Sequence, residues 1–349
     1  MSVFNSLYAY HFRNAISLTL LGYDKEIRKE ADTTFKKPIV EHDRFFVNFT
    51  PIWQDYLIRY NYYEAESIWN YAINLTLDWE RSNSNRVHKG TPYYFLGVTQ
   101  ILASKIDEGF FSMHQALEED KLTHSRVDPQ TPAYYFTLLD SSKPSQFFGP
   151  YVVQIAKFLE EKMDEYRKTI GGTLTLTDFR TKFLEASNLR EEVFRFVYFL
   201  SKLKNQLQIP NHLRQNEFSS LEFAKLLFDI CMISEKCIEE KNPRRGTTFL
   251  TFSHELTFLR RRGKLSHTDR QCKSIRDDLK TNFETTLDQL LNNTYHMGLT
   301  EIEYDYIITY YLRNFGAHNI INQPILNKEI QNITQRVLNT LFWTIEQIY

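Results

Sequence analysis

Residues that interrupt helices are scarce in this sequence. It has 11 glycines and 10 prolines among 349 residues, and long segments carry apolar residues at helical spacing without a sustained alternation of period two. This pattern excludes a sheet-rich fold and predicts an all-α protein. With 42% hydrophobic residues, the chain has enough apolar material to form a large core.

An excess of charge of either sign is also missing. Lys and Arg total 42 and Asp and Glu total 43, which gives a net charge of -1. A broadly basic surface for non-specific nucleic-acid binding is therefore excluded, and any contact with nucleic acid must be local.

Cysteines and long apolar runs are rare as well. The three cysteines include no Cys-x-x-Cys pair and cannot make an even disulfide framework, which fits a reducing compartment. No segment approaches the roughly 20 apolar residues of a membrane helix, and the N-terminus is read as a helix rather than a signal peptide. Gly-rich phosphate loops and histidine pairs at metal-binding spacing are missing too. We therefore expect a cytoplasmic protein without a membrane segment, metal or cofactor.

Two breaks divide the sequence. Gly171-Gly172 ends one helical segment, and Ile209-Pro210-Asn211 interrupts the chain again. These breaks place a domain boundary between about 170 and 215. We assign residues 1–185 to an N-terminal helical region and residues 186–349 to a C-terminal domain.

Small residues between Gly90 and Lys121 indicate a tight helical hairpin. Tyr93, Leu96-Gly97, Gly109 and Ala116 stand where a tetratricopeptide repeat has its aromatic residue, its Leu-Gly pair and its two small residues. The segment therefore resembles one such unit, although moving the frame by one repeat recovers no comparable pattern. The resemblance implies a bundle of helical hairpins that senses or docks a partner. The alternative is that any tight antiparallel helix pair selects small residues at these sites.

An arginine, a polar residue and a histidine lie close together near the C-terminus. Arg313 and Asn314 are followed by Ala317 and His318, after a helix rich in Ile and Tyr and before a final helix. In this context the chain resembles the HEPN superfamily (higher eukaryotes and prokaryotes nucleotide-binding). The motif of that superfamily is an Arg, usually a polar residue, and a His after four to six positions near the end of a helix. The resemblance covers about the last 130 to 150 residues and implies a four-helix bundle within residues 186–349.

The spacing of this motif is not specific by itself. It also occurs from Arg262 to His267 and from Arg81 to His88. Arg262 lies in a basic turn and Arg81 in a polar insert, so neither follows an apolar helix as the motif requires.

Helix geometry sets a condition on the motif. On an ideal helix Arg313 and His318 are about 140° apart around the axis. The two side chains therefore do not share one narrow stripe of a regular helix, and Gly316, a weak helix former, is the candidate for loosening the turn so that both point to one cleft. The alternative is that Arg313 caps the carbonyls at the helix C-terminus, with His318 as an ordinary partner.

The HEPN resemblance implies a metal-independent endoribonuclease that acts as a homodimer. Two copies pair so that both motifs face one cleft, and the ribose 2′-hydroxyl attacks the adjacent phosphate. In these roles His318 is the general acid or base, and Arg313 holds a non-bridging phosphate oxygen. Asn314 donates to the phosphate or orients His318.

A basic run supplies the densest positive charge in the chain. Arg260, Arg261, Arg262 and Lys264 are candidate RNA-binding residues if the run rims the cleft. A solvated helix C-terminus, where basic residues complement the helix dipole, explains the run equally well.

By analogy with the family, the protein is read as a toxin or antiviral defence effector that cuts RNA. An antitoxin or other protein at the N-terminal helices, or modification of Tyr310 or Tyr311, would hold it silent. The rival interpretation is a non-catalytic scaffold that binds partners and carries a HEPN-like dimerisation bundle. The set of Arg313, Asn314 and His318 favours the enzyme, and the balanced charge favours the scaffold.

Overall fold

A computed structural model describes residues 3–10, 16–124, 130–214, 217–241, 259–265, 269–295, 298–318 and 324–349. Within these ranges the chain forms helices and turns and no β-strand, which confirms the predicted all-α fold. The chain divides into two compact units, Met1–Val153 and Gln154–Tyr349. The predicted division between residues 185 and 186 lies inside the second unit and stays a prediction.

Short connections join the helices described in the first unit. Their bounds are α1 Val3–Tyr10, α2 Ile16–Gly22, α3 Asp24–Phe35, α4 Asp43–Val47, α5 Thr50–Ile58, α6 Tyr62–Asn83, α7 Gly90–Leu102, α8 Ile106–His124 and α9 Pro132–Thr137, with a 3-10 turn at Ile39–Glu41. The core of this unit is aromatic. Trp53 and Trp69 are fully buried, and Trp69 stacks on Phe95 with 4.9 Å between ring centroids.

Helices α7 and α8 form a tight antiparallel hairpin at the two predicted glycines. A Cβ at Gly97 would lie 2.9 Å from the Gly109 carbonyl oxygen, and a Cβ at Gly109 would lie 2.5 Å from Cγ1 of Ile101. The helix backbones can meet here because neither glycine carries a side chain. Ser112 Oγ donates to Gln100 Oε1 at 2.7 Å across the same seam. The hairpin is therefore present, and its resemblance to a tetratricopeptide repeat stays a prediction.

Long helices dominate the described part of the second unit. Helix α10 (Gly149–Ile170) starts in the first unit and continues into the second. The bounds that follow are α11 Leu176–Phe179, a π-helical turn Arg180–Leu184, a 3-10 turn Ser187–Leu189, α12 Arg190–Gln208, α13 Asn211–Arg214, α14 Glu217–Lys241, α15 Asp269–Thr281, α16 Phe283–Leu291, α17 Glu301–His318, α18 Pro324–Lys328 and α19 Ile330–Ile348. Helices α14, α17 and α19 pack against one another, and α12 packs on α14. No described helix has the combination of length and apolarity that crossing a membrane requires.

Helix α19 is enclosed on all sides in its central part. Every residue from 336 to 345 is buried, and several of these residues are polar. Because no face of this stretch meets solvent, its polar side chains bond to neighbouring helices. Thr340, for example, shares a hydrogen bond of 2.9 Å with Thr309 of α17.

Candidate functional site

Arg313 follows directly after the buried part of α17. Every residue from Glu303 to Leu312 is buried, since α17 packs against α14, α16 and α19. The Arg313 side chain is 24% exposed. Its guanidinium is therefore partly exposed beside this buried stretch.

Glu235 of α14 binds this guanidinium. Arg313 Nε donates to Glu235 Oε2 at 2.9 Å, and Nη2 donates to Oε1 at 3.2 Å, so both carboxylate oxygens take part. The Glu235 side chain is 9% exposed. Burial raises the pKa of Glu235, and the hydrogen bonds from Arg313 and its positive charge oppose that rise. The predicted catalytic arginine is thus held on one edge by a buried acid.

Sequence reasoning missed Glu235. It follows Cys231 by four residues and precedes Ile238 by three, and both of these residues are fully buried. Helical spacing therefore places Glu235 on the buried face of α14. A carboxylate in such a position needs a cationic partner, because a buried unpaired charge is strongly unfavourable. That requirement signals a partner arginine, although spacing alone does not identify Arg313.

The rest of the predicted motif lies on the same helix. Helix α17 continues through Gly316 to His318. The described backbone is helical at Gly316, so positions 313 and 318 have the separation of about 140° that a regular helix gives. The convergence of Arg313 and His318 on one cleft stays a prediction. The side chains of Asn314 and His318 lie outside the described residues, so their catalytic roles stay predictions.

The predicted RNA-binding side chains are all exposed on the second unit: Arg260, Arg261, Arg262 and Lys264. Arg260 and Arg261 lie in a helical stretch at 259–261, and Arg262 to Lys264 form the turn after it, in which Gly263 adopts a φ of 67°, a left-handed conformation that favours glycine. We call residues 260–264 the basic turn. Lys264 Nζ donates to Gln347 Oε1 at 2.9 Å. The basic turn therefore lies beside the end of α19.

The end of α19 also connects to α14. The Tyr349 hydroxyl donates to the Cys237 carbonyl at 2.9 Å, and Lys241 Nζ lies 4.2 Å from the centre of the Tyr349 ring. Both Cys237 and Glu235 belong to the C-terminal part of α14. Arg313 thus contacts the C-terminal part of α14 directly, through Glu235. The basic turn contacts the end of α19, which in turn contacts the same part of α14.

The two tyrosines proposed as modification sites are buried. Tyr310 and Tyr311 are each 6% exposed. Burial also raises the pKa of Tyr311 to about 12. A modifying enzyme would reach either hydroxyl only after local opening of the helix bundle.

A second cluster of charges lies in the first unit, around His88 and Lys89 of the segment between α6 and α7. His88 Nε2 is 3.1 Å from Asp120 Oδ1, and His88 Nδ1 is 3.6 Å from Asp43 Oδ1. Burial lowers the pKa of His88, but its bonds with Asp120 and Asp43 outweigh burial and raise the pKa to about 9. Lys89 Nζ donates to Glu80 Oε1 at 2.6 Å nearby. His88 is therefore protonated at neutral pH, and this cluster anchors the segment instead of supplying a general base.

Comparison with known proteins does not assign the chain to a family. No family model, no curated protein and no solved structure matches the chain. The resemblances to the HEPN superfamily and to a tetratricopeptide repeat therefore stay predictions from the residues.

Proposed function

We propose that this chain is a metal-independent endoribonuclease of HEPN type that acts as a homodimer. Arg313 binds a non-bridging phosphate oxygen, His318 transfers protons, and Asn314 donates to the phosphate or orients His318. The ribose 2′-hydroxyl attacks the adjacent phosphate, which leaves a cyclic phosphate and a free 5′-hydroxyl. In this proposal the protein is a cytoplasmic toxin or antiviral defence effector, and its N-terminal helices dock an antitoxin or another protein.

The position of Arg313 is the observation that carries the proposal. An arginine enclosed in the core would be out of reach of a ligand in solution. A freely mobile arginine would lose about 2 kcal/mol of side-chain entropy when it became ordered on a ligand. Arg313 differs from both cases, because it is 24% exposed and a buried carboxylate fixes one edge of its guanidinium. A fixed surface cation is suited to stabilise the negative charge that grows on a phosphate in the transition state.

The basic turn supports the same interpretation. It has four exposed cations, and one of them, Lys264, bonds to Gln347 at the end of α19. That end of α19 contacts the part of α14 that also contains Glu235. In a chain with a net charge of -1, this is a local concentration of positive charge. Such a patch attracts an RNA backbone without making the whole surface basic.

Cleavage of a mixed-sequence RNA in the presence of a chelator tests the proposal. We expect the wild-type protein to cut and to leave cyclic-phosphate ends. Arg313→Ala and His318→Ala should each lower the rate by about 10²- to 10³-fold, the loss typical when one group that stabilises a transition state is removed. The rate is measured by gel analysis of labelled RNA.

Arg81→Ala is the matched control for this experiment. Arg81 has the same loose spacing to a histidine, and its side chain is 77% exposed. Its removal should leave cleavage unchanged. Unchanged cleavage in both Arg313→Ala and His318→Ala, with circular dichroism showing an intact fold, would contradict the proposal. A strictly monomeric solution mass would contradict the dimer.

A non-catalytic scaffold is the second candidate function, and exposed apolar side chains in the first unit favour it. Ile58, Tyr60 and Tyr63 are 63%, 78% and 75% exposed within six positions of the chain. Groups of exposed apolar residues often mark protein-binding surfaces. If the chain is a scaffold, the wild-type protein leaves RNA intact at every concentration tested and still forms its dimer.

A further inference from the structure

Glu235 is in a position that needs an explanation beyond the sequence motif. Its side chain is 9% exposed and lies on the face of α14 that carries the fully buried Cys231 and Ile238. A carboxylate in such surroundings is unfavourable unless a cation is paired with it. Arg313 supplies that cation, and its own side chain is 24% exposed.

The two side chains of the pair differ in how firmly the surrounding protein holds them. Glu235 uses both oxygens and is enclosed, so its position is set by the packing of α14. Arg313 is bound along the edge that carries Nε and Nη2, and its side chain is the more exposed of the two. The fixed member of the pair therefore orients the member that can meet a ligand.

If the ribonuclease activity proposed above holds, we propose that Glu235 is a positioning residue for Arg313. It binds the Nε and Nη2 edge of the guanidinium and so fixes the orientation in which the exposed part of Arg313 meets a phosphate of the bound RNA. Glu235 itself does not touch the RNA.

Positioning has a measurable value because Arg is a long side chain with several rotatable bonds. An arginine already ordered by a carboxylate loses less freedom when it binds a phosphate. A displacement of a reacting group by about 1 Å can lower a rate on the order of 10²-fold. Glu235→Gln keeps the shape of the side chain but removes its charge and turns one oxygen into a donor, which faces the donors of Arg313. The guanidinium should then leave its present orientation.

The test is a cycle of single and double variants of the full chain, assayed with a mixed-sequence oligoribonucleotide. We expect Glu235→Gln to lower cleavage by about 10- to 100-fold, and Glu235→Asp, which keeps the charge, to restore part of that loss. In an Arg313→Ala background Glu235→Gln should change the residual rate by less than about twofold, since the residue it positions is gone. Glu239→Gln is the matched control, because Glu239 lies one turn further along α14 and pairs with Lys236 at 2.8 Å. It should leave cleavage unchanged.

Binding of an all-2′-deoxy oligonucleotide, which cannot be cut by this chemistry, separates the two proposals. If wild type binds it, and Arg313→Ala and Glu235→Gln both weaken binding while no variant cuts RNA, the nuclease proposal fails and the positioning of Arg313 stands. If wild type cuts RNA and Glu235→Gln and Glu235→Asp cut equally well, the positioning proposal fails and the nuclease stands. A loss from Glu235→Gln that is equally large in the Arg313→Ala background would also overturn it, because the effect would then be general to the fold.

Discussion

Two pairs of arginine and carboxylate involve α17, and they differ in enclosure. Arg313 and Glu235 have side chains that are 24% and 9% exposed, whereas Arg336 and Asp305 are 9% and 0% exposed. The enclosed pair is joined by a bond of 2.8 Å from Arg336 Nη1 to Asp305 Oδ1. It lies within the core of the second unit, while the other pair lies at the edge of that core.

The enclosed pair is also built into a wider network. Arg336 Nη2 donates to the Leu291 carbonyl at 2.6 Å and to Asn293 Oδ1 at 3.0 Å. Asn339 Nδ2 donates to the second carboxylate oxygen of Asp305 at 2.9 Å. A charge pair in which both terminal nitrogens of the arginine and both carboxylate oxygens bond to protein groups serves the fold. An ion pair between helices therefore does not by itself indicate a functional site. Arg313 is the better candidate than Arg336 for binding a phosphate because its side chain is more exposed.

The two pairs should differ most in how much stability the protein loses when the arginine of each pair is replaced. Arg336→Met leaves Asp305 buried without its cation and should lower the free energy of unfolding by about 3–5 kcal/mol. Arg313→Met should lower it by about 1–2 kcal/mol, between the values for exposed and buried pairs. Urea titration followed by circular dichroism measures both losses. Equal losses would show that the two pairs are equally structural.

The pH dependence of stability should reveal the titration of Asp305, the carboxylate of the enclosed pair. Burial raises the pKa of Asp305 to about 6, although Arg336 and Asn339 oppose the rise. A carboxyl with a higher pKa in the folded state holds its proton more tightly when folded. Its contribution to stability is therefore present at low pH and is lost as the pH rises from about 4 to about 6.

Asp305→Asn removes this titration. The free energy of unfolding of wild type minus that of the variant should fall across the same window, by an amount on the order of 3 kcal/mol for a shift of about two pKa units. Urea titrations at four pH values between 4 and 7 measure the difference, with Asp288→Asn, at an exposed position of α16, as the control. A difference that stays flat or rises with pH would contradict the raised pKa.

Local signals predicted the helices, and long-range packing decided the rest. Helical spacing and the scarcity of Gly and Pro were enough for the all-α fold, and Gly97 and Gly109 marked a close approach of two helices. The bond between Arg313 and Glu235 joins residues 78 positions apart, which no spacing within one helix can specify. The backbone stays helical at Gly316, because a glycine weakens a helix by only about 1 kcal/mol. Packing of the preceding turns of α17 outweighs a penalty of that size.

Added salt should have the smallest effect on the two ion pairs, and it compares their exposure to solvent most directly. The Debye length falls from about 10 Å at 0.1 M salt to about 3 Å at 1 M, and this screening acts more strongly on charges near solvent. Double-variant cycles measure the coupling energy within each pair, from Arg313→Met with Glu235→Gln and from Arg336→Met with Asp305→Asn. We expect the Arg313 coupling to be about 1 kcal/mol at low salt and to fall by roughly half at 1 M. The Arg336 coupling should stay constant within error, because protein groups surround that pair. Equal salt dependence would mean that solvent reaches both pairs alike, and Arg313 would then lose the accessibility on which its role toward a phosphate depends.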